Sequence, residues 1–418
     1  MSDATPAKAR SLLARVNPFA KAMARKDSGD CLPPFAARTY MVTPGQAVWM
    51  ERDYIRFSQE AYVRNVIAHR AIAMVAGAAS SVHVKTFALS PRGGARRELR
   101  SHPLLTLLGQ PNPAQNGHAF FNALYHHRLI SGNAFVQAAG PKDQPPQELY
   151  ILRPDRMSII AGKGGIPASY RYTLSGQITD FRIDPLTWQS RILHLKHFHP
   201  LNDWYGLSPV EAAAYSIDQH NMAGAWNQAL LQNGARPSGA LVVTTDGAHS
   251  GKLSEEQYWR IKRQIDEQFS GPVNAGRPLL LEGGLDWKEL SLSPKDMDFL
   301  ETKQSAARDI ALAFGVPPQM LGIPGDSTYA NLQEARLALW EQTVLPLVCD
   351  TLEGLSRWLE NFYGAALELK PDIGAIPALA ARNQMIWDRV EKASFLTDDE
   401  KRAAVGYGPK GSRPSGGA

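Results

Sequence analysis

Two long helical patterns joined by a short polar loop occupy the segment from Ser293 to Phe362. The first pattern ends in FGVPPQMLG, where a glycine and two prolines stop a helix. The loop Ile-Pro-Gly-Asp-Ser-Thr-Tyr-Ala-Asn follows, and the second pattern contains Pro346, whose ring must kink the helix. Two long helices joined by a mobile loop form a mechanical element. Nothing in this segment has the pattern of a catalytic pocket.

An earlier long helix is predicted from Ser208 to Gly234. Its start combines a capping serine, a proline at the first helical position and a glutamate that can reach back to the cap, and its length is roughly 40 Å. A similar start, at Ser293–Asp296, opens the helix that ends at Gly315. Between them, residues 236–292 show short strand patterns and one charged amphipathic helix, Ser254–Phe269. The sequence therefore predicts a small α/β insert between two long helices.

The chain on either side of these helices is also patterned. Residues 40–205 are predicted to form one mixed domain, with helices near 51–79 and 117–129. The strands predicted there are Val82–Phe87, Ala134–Ala138, Ser158–Ile160, Tyr170–Leu174 and Ile192–Phe198. Beyond the long helix at 332–362, residues 375–405 are predicted to be helical, with a break at Phe395-Leu396 and a capping box at Thr397–Glu400.

Composition limits the class of protein. The chain has 418 residues, of which 44% are hydrophobic and 20% charged, so it is long enough for two or more cores. Its net charge of +5 is compatible with a polyanionic partner without demonstrating one. Two distant cysteines, Cys31 and Cys349, fit a reducing compartment. We find no signal-peptide pattern, and the longest apolar run, Ala71–Ala79, is about half of what a bilayer requires. A soluble protein on the cytoplasmic side is expected.

Two motifs have residue types that chemical sites use. The segment LVVTTDGAHSGKLSEE has a strand, Gly-Lys and a helix in the order of a phosphate-binding loop, but three residues separate Gly247 from Gly251 where that motif needs four. A structural helix start explains it better. His194, His197 and His199 lie close together on a predicted strand and could share a metal, although no carboxylate or cysteine accompanies them. We therefore expect no catalytic, cofactor-binding or metal-binding residues.

The charge of the long helices bears on nucleic acid. Between Ser208 and Ala235 there is no lysine or arginine, and in the second helix basic residues are matched by acidic ones. A protein that grips DNA through these helices would need a basic stripe. These helices would instead let a polyanion slide past.

With these features in view, the chain resembles the phage portal proteins, in particular the short type of lambda-like tailed phages, prophages and gene transfer agents. The resemblance extends from about residue 40 to 405, and the order and spacing of its motifs carry it. The motifs are HPLLTLLGQPNP (His102–Pro113), SGNAFV (Ser131–Val136), ILHLKHF (Ile192–Phe198), YGLSPVEAA (Tyr205–Ala213), FGVPPQMLG (Phe314–Gly322), YANLQEAR (Tyr329–Arg336) and LTDDEKR (Leu396–Arg402).

The resemblance implies an α+β portal fold with a wing, a stem of two long helices, an α/β clip, a tunnel loop, a kinked long wing helix and a helical crown. The implied division is a disordered basic arm (1–38), wing (39–206), stem helix 1 (207–235), clip (236–292), stem helix 2 (293–316), tunnel loop region (317–331), kinked wing helix (332–371), crown (372–405) and flexible tail (406–418).

The same resemblance implies a function without catalysis. About twelve copies would form a ring-shaped channel at one capsid vertex, assembled in the bacterial cytoplasm, through which a terminase packages double-stranded DNA that is later ejected. The implied partners are the other subunits, the DNA, the large terminase subunit, a head–tail adaptor and the major capsid protein. The residues expected to line the channel in the tunnel loop are Ile323, Asp326, Ser327, Thr328 and Tyr329. The clip residues expected to dock terminase or adaptor are Glu255, Glu256, Arg260, Lys262, Arg263 and Glu267.

Three other interpretations remain at this point. The chain could be another capsid protein or head–tail adaptor, although these are usually shorter and lack two long helices around an α/β insert. It could be a metal-dependent hydrolase that uses His194, His197 and His199. It could also be a free-standing protein that binds duplex DNA, for which steep salt dependence is expected.

Overall fold

A computed structural model gives the structure of the protein. It describes residues 31–32, 53–89, 97–141, 144–162, 167–232, 239–243, 254–269, 285–289, 299–324, 329–364 and 366–405.

Helices form most of the main core. The α-helices are α1 (Tyr54–Arg56), α2 (Val66–Ser80), α3 (Pro103–Gly109), α4 (Gly117–Ser131), α5 (Pro209–Ala212), α6 (Ala214–Gln232), α7 (Glu255–Phe269), α8 (Phe299–Ala313), α9 (Tyr329–Ala338), α10 (Leu345–Tyr363), α11 (Ala380–Lys392) and α12 (Asp398–Ala404). α2 packs against α4, and the amphipathic α10 closes the same core with Val348, Leu352, Leu355 and Leu359. Apolar side chains at helical spacing are buried here because each helix turns one face inward.

Within the described ranges, the strands form four antiparallel sheets, in the orders β1-β6-β7-β8, β12-β2-β3, β5-β4-β9 and β10-β11. The strands are β1 (Cys31–Leu32), β2 (Val84–Ala88), β3 (Arg97–Leu99), β4 (Asn133–Ala139), β5 (Glu148–Leu152), β6 (Met157–Ala161), β7 (Pro167–Leu174), β8 (Gln177–Arg182), β9 (Ile192–Lys196), β10 (Gly239–Val243), β11 (Leu285–Glu289) and β12 (Leu367–Pro371). A second core, which includes Phe135, Met157, Ile159 and Tyr205, fills the space beside the β4 and β6 sheets.

The five strands predicted between residues 82 and 198 are present, within a few residues of their expected bounds. The structure adds β3, β5 and β8, which short or polar sequences concealed, and β12, which pairs with β2 from far along the chain. β1 pairs with β6, so the prediction of a disordered arm over 1–38 is wrong at Cys31 and Leu32. Of the short strand patterns in residues 236–292, β10 and β11 are present, and residues 278–281 lie outside the described residues.

The helix predicted over 51–79 is divided. A π-helical segment, Phe57–Val63, follows α1, and Asn65 then caps α2 by accepting hydrogen bonds from the amides of Ile67 and Ala68. The interruption expected near Pro346 takes a similar form, because a π-helical segment, Leu339–Val344, lies immediately before α10. The second π-helical segment re-aims its helix without ending it, whereas after the first the chain leaves the helix at Asn65 before α2 begins.

The two predicted stem helices are present as α5–α6 and α8. Ser208 caps the first by accepting from the amide of Val210, and a turn at Ala213 separates α5 from α6. The second is described from Phe299 onward, so its predicted start at Ser293 lies outside the described residues. Near the C-terminus, Thr397 and Glu400 form the predicted capping box at the start of α12. The domain boundaries stay predictions.

Candidate functional site

The first part of the candidate site is the pair of helices α6 and α8, which pack against each other. Ile217 of α6 and Ile310 of α8 are fully buried. At the surface of the pair, the Ser216 hydroxyl lies 3.3 Å from Oδ2 of Asp309 and donates to it. The described part of α6 is uncharged on its exposed side, as its sequence predicted.

The chain leaves α8 through a rigid turn. Gly315 has φ +62, in the left-handed region, and its carbonyl accepts a hydrogen bond from the Thr343 hydroxyl at 2.7 Å. A Cβ at Gly315 would lie 2.5 Å from that hydroxyl oxygen, so only glycine fits. This contact fastens the end of α8 to the π-helical segment that precedes α10.

The predicted tunnel loop is anchored at its first residues. A 3₁₀ turn, Pro318–Leu321, leads to Ile323, whose side chain is 6% exposed and packs against Ala307 and Ala311. The carbonyl of Pro324 accepts from the Arg308 guanidinium at 2.8 Å. In the single subunit this apolar side chain holds the loop against α8, and its role in lining a channel stays a prediction.

The remaining tunnel-loop residues are less fully placed. Asp326, Ser327 and Thr328 lie outside the described residues. Tyr329 is the first residue of α9, and its side chain is not described. Their role in lining a channel stays a prediction.

The clip helix α7 presents its described side chains to solvent. Glu255, Glu256, Arg260, Lys262 and Arg263 are all exposed, while the side chain of Glu267 lies outside the described residues. Sequence reasoning missed two neighbours on this helix, Tyr258 and Trp259, which are 51% and 56% exposed. Lys262 lies over the ring of Trp259, 5.0 Å from its centroid. Exposed aromatic residues among charges are typical of protein-binding surfaces.

A buried polar junction connects α6 to α2. The Asn65 side-chain amide lies 3.2 Å from Nδ1 of His220 and donates to Oδ1 of Asn221 at 3.0 Å. The Asn221 amide in turn donates to the carbonyl of Glu60 at 2.9 Å. Asn65 is 1% exposed and also caps α2, so one side chain both starts that helix and connects it to α6.

His194, the most buried histidine of the cluster, has a structural role. Nε2 of His194 donates to Oδ1 of Asn133 at 2.9 Å, and its ring stacks on Phe135 with centroids 4.3 Å apart. The rings of Tyr170 and Tyr205 also contact the His194 ring, edge to face. Burial, followed by the nearby charges of Lys196 and Arg128, lowers the pKa of His194 to about 3. The ring is neutral and its Nε2 is occupied by Asn133.

The other two histidines of the cluster do not join His194 in a metal site. Burial lowers the pKa of His197 to about 4, and Nδ1 of His199 accepts from the amide of Leu201 at 3.0 Å. Across the described ranges, no group of three or more histidine, cysteine or acidic side chains is arranged to hold a metal ion.

The neutral state of His194 predicts a pH dependence of stability. Its pKa is lowered from 6.5 in the folded state, so stability is complete above pH 6.5 and declines as pH falls toward 3, by about 1.4 kcal/mol per pH unit once the unfolded ring is protonated. We expect His194→Gln to reduce the slope of unfolding free energy against pH, between pH 6 and 4, by about that amount per unit. Urea unfolding at several pH values measures it.

The matched control is His83→Gln, because His83 is exposed and its side chain is outside the aromatic cluster. This variant should keep the wild-type slope. An unchanged slope in His194→Gln would show that His194 does not determine the acid sensitivity.

A second tight junction holds the β4 sheet against the start of α5. The Asn133 side chain accepts from the amide of Gly206 at 2.7 Å and donates to the carbonyl of Ser131 at 2.7 Å. Gly132 has φ +74, and a Cβ on Gly206 would lie 2.2 Å from the Gly132 carbonyl oxygen. Two motifs that lie 73 residues apart, SGNAFV and YGLSPVEAA, therefore meet in space.

None of the helices in the described part of the chain is both long and apolar enough to span a membrane. The described site therefore combines two packed helices, an anchored loop, exposed aromatic residues on the insert helix, and a histidine used for packing.

Comparison with known proteins gives the family. The family model for phage portal proteins matches residues 67–406, and the chain belongs to that family. This family is structural rather than enzymatic. The predicted α+β portal fold is confirmed by likeness to solved portal structures.

Relatives agree with this placement. An uncharacterized protein of Rickettsia bellii is 44% identical over 84% of this chain and 89% of its own length. The portal protein of Enterobacteria phage HK97 is 24% identical over 69% of this chain and 66% of its own.

Solved structures extend the comparison. A chain from the neck of a native gene transfer agent particle, computed with C12 symmetry, is 42% identical, with a TM-score of 0.64 over 87% of this chain and 96% of that one. An HK97-family phage portal protein from Corynebacterium diphtheriae matches at 16% identity and a TM-score of 0.55, which is a likeness of fold alone.

Proposed function

We propose that this protein assembles into a ring of about twelve subunits, which forms the channel for double-stranded DNA at one vertex of a phage-like capsid. The likeness to a chain in a C12-symmetric particle neck, nearly complete over both chains, carries the proposal. The particle would be assembled in the bacterial cytoplasm and would be a phage, prophage or gene transfer agent particle. The ring conducts DNA and performs no chemistry on it.

The surfaces of the subunit support separate tasks. The α6–α8 pair supplies the wall of the channel, and the sequence of α6, without lysine or arginine, favours sliding over gripping. The anchored turn at Pro318–Pro324 leads into the predicted tunnel loop, whose residues Asp326, Ser327 and Thr328 are proposed to line the channel.

The clip helix α7, with its exposed charges and its Tyr258–Trp259 pair, is proposed to dock first the terminase and later a head–tail adaptor. The wing, with its sheets, is proposed to contact the major capsid protein. The terminase and the adaptor would occupy α7 at different times, the terminase during DNA packaging and the adaptor after it.

The assembly is tested by negative-stain electron microscopy of the purified protein, together with mass photometry. End-on rings of about twelve subunits with a central hole wide enough for duplex DNA are expected. Compact dimers or tetramers without a channel would contradict the proposal. A monomer that binds duplex DNA with steep salt dependence would favour the free-standing DNA-binding protein instead.

The charge of the tunnel loop gives a prediction for DNA movement. Twelve copies of Asp326 would form a negative ring that prevents DNA from adhering. Asp326→Lys is therefore expected to slow packaging and to make it more sensitive to salt, because phosphates bind the new cations and salt screens them. Nuclease-protected DNA per particle, measured over a range of salt concentrations, is the readout.

Asp326→Asn is the matched control, since it removes the negative charge without adding a positive one, and its effect should be smaller. Asp326→Lys particles that fill at the normal rate, with unchanged salt dependence, would show that the loop charge has no part in translocation.

A further inference from the structure

The C-terminal helices α11 and α12 contain no buried side chain, unlike the helices of the main core. Partly covered side chains recur at helical spacing along α11 and at its C-cap: Asn383, Ile386, Val390 and the C-cap residue Ala393. The base of α11 is fixed, because Arg382 forms an ion pair with Glu341 of the π-helical segment before α10. An isolated helix of 13 residues is marginal in water, so this pair of helices needs a further surface to cover it.

Apolar side chains lie on two different flanks of α11. Met385 is 63% exposed and Trp387 is 48% exposed. Two residues along a helix correspond to about 200°, so these side chains flank the partly covered face on opposite sides. A single partner docked on one side would cover one of them and leave the other in water.

Charges follow the same division. Arg389 and Lys392 lie on the flank of Met385, and Glu391 lies on the flank of Trp387, all three being exposed. The two flanks are therefore complementary to each other in charge. Methionine sulfur and an aromatic ring also attract each other. A surface whose two sides complement one another is the pattern of a head-to-tail contact, which closes into a ring when it repeats.

We propose that α11 packs side to side with α11 of the neighbouring copies, with the Trp387 flank of one subunit against the Met385 flank of the next. Glu391 of one copy then pairs with Arg389 and Lys392 of the other. The inference rests on the proposed ring and adds to it a specific interface, which forms a continuous helical collar. The crown helices gain their buried surface only in the assembled particle.

Cysteine cross-linking tests this register. Met385→Cys and Trp387→Cys are combined in one chain, the protein is assembled, and rings are treated with a short bismaleimide cross-linker. The double variant should give a ladder of covalent oligomers on a denaturing gel, up to the full ring. Each single variant alone should give no ladder, because residue 385 of one copy faces residue 387 of the next.

The matched control is the pair Ala381→Cys and Asp388→Cys, which lie together on the outward side of α11. It has the same number of added cysteines and should remain uncross-linked. Wild-type rings, which keep Cys31 and Cys349, give the background.

Amide hydrogen exchange, measured on variants with swapped charges, gives a second test that does not need cysteines. In wild-type rings, amide hydrogens of residues 384–392 should exchange at least tenfold more slowly than in the unassembled chain. Glu391→Arg should remove that protection, and combining it with Arg389→Glu and Lys392→Glu should restore it, because the exchanged charges again face each other.

The outcomes separate the two proposals. Failure of the wild-type protein to form rings would contradict the proposed function. Intact rings with no ladder in the double cysteine variant and with rapid exchange of residues 384–392 would overturn the collar alone. If the cysteine variants do not assemble, the exchange measurement on wild-type rings decides.

Discussion

Gly206→Ala is expected to destabilise the subunit by on the order of 3 kcal/mol or more. A Cβ at this position would lie 2.2 Å from the carbonyl oxygen of Gly132 and 2.6 Å from the amide nitrogen of His197. Both obstacles are backbone atoms held by hydrogen bonds, including the one from the His197 amide to the Gly132 carbonyl at 2.9 Å, so neither can move aside. Urea unfolding of the purified subunit measures the loss.

The effect should be specific to the close approach of the two chain segments. Gly77→Ala is the matched control, because Gly77 lies in α2 and a Cβ there would meet nothing within 4 Å. This variant should leave stability unchanged or raise it by about 0.5–1 kcal/mol, the cost that glycine imposes within a helix. Equal stability of Gly206→Ala and wild type would mean that the two motifs do not meet as the structure shows.

Asn65→Ala is expected to cost about 2–4 kcal/mol, the second largest effect. The change removes the cap of α2, worth about 1 kcal/mol, and leaves the buried groups of His220 and Asn221 without their partner. Asn65→Ser divides these contributions, since serine is also a good cap but cannot reach across to α6. Its loss should be smaller than that of alanine by about the value of the cap.

Thermal and urea unfolding of both variants check this ordering. Asn116→Ala supplies a comparison, because Asn116 caps α4 through the amide of Ala119 at the exposed start of that helix. It should cost about 1 kcal/mol. Losses of the same size in Asn65→Ala and Asn116→Ala would show that the bridge to α6 contributes nothing beyond the cap.

The sequence was informative where local chemistry determines structure. Ser208 and the Thr397–Glu400 capping box start helices as predicted, since a cap involves only residues within one turn. Strands such as β4 and β9 were found because short, largely apolar segments there lie between turn residues. The succession of long helix, α/β insert and long helix follows from the same local signals, and with the motifs it indicated the family.

Contacts between residues far apart in the chain could not be predicted from the sequence. β12 pairs with β2 across nearly 300 residues of chain, and no local pattern specifies such a partner. The histidine cluster is another case in which the sequence did not reveal long-range contacts. Three nearby histidines were not expected to bind a metal, but their sequence did not show what they contact; in the structure His194 contacts Asn133 and Phe135, 61 and 59 residues away, and these contacts use its ring for packing.

The sequence by itself determined most of the long helices, the five strands predicted between residues 82 and 198, the α/β insert and the family of this protein, because caps, periodicity and motif order depend on neighbouring residues. Only the tertiary structure decided which glycines meet, that Ile323 anchors the loop after α8, and that Asn65 connects α2 to α6. It also decided that both flanks of α11 remain exposed in the single subunit. These properties depend on which distant surfaces come into contact, and burial has no signature within a short stretch of sequence.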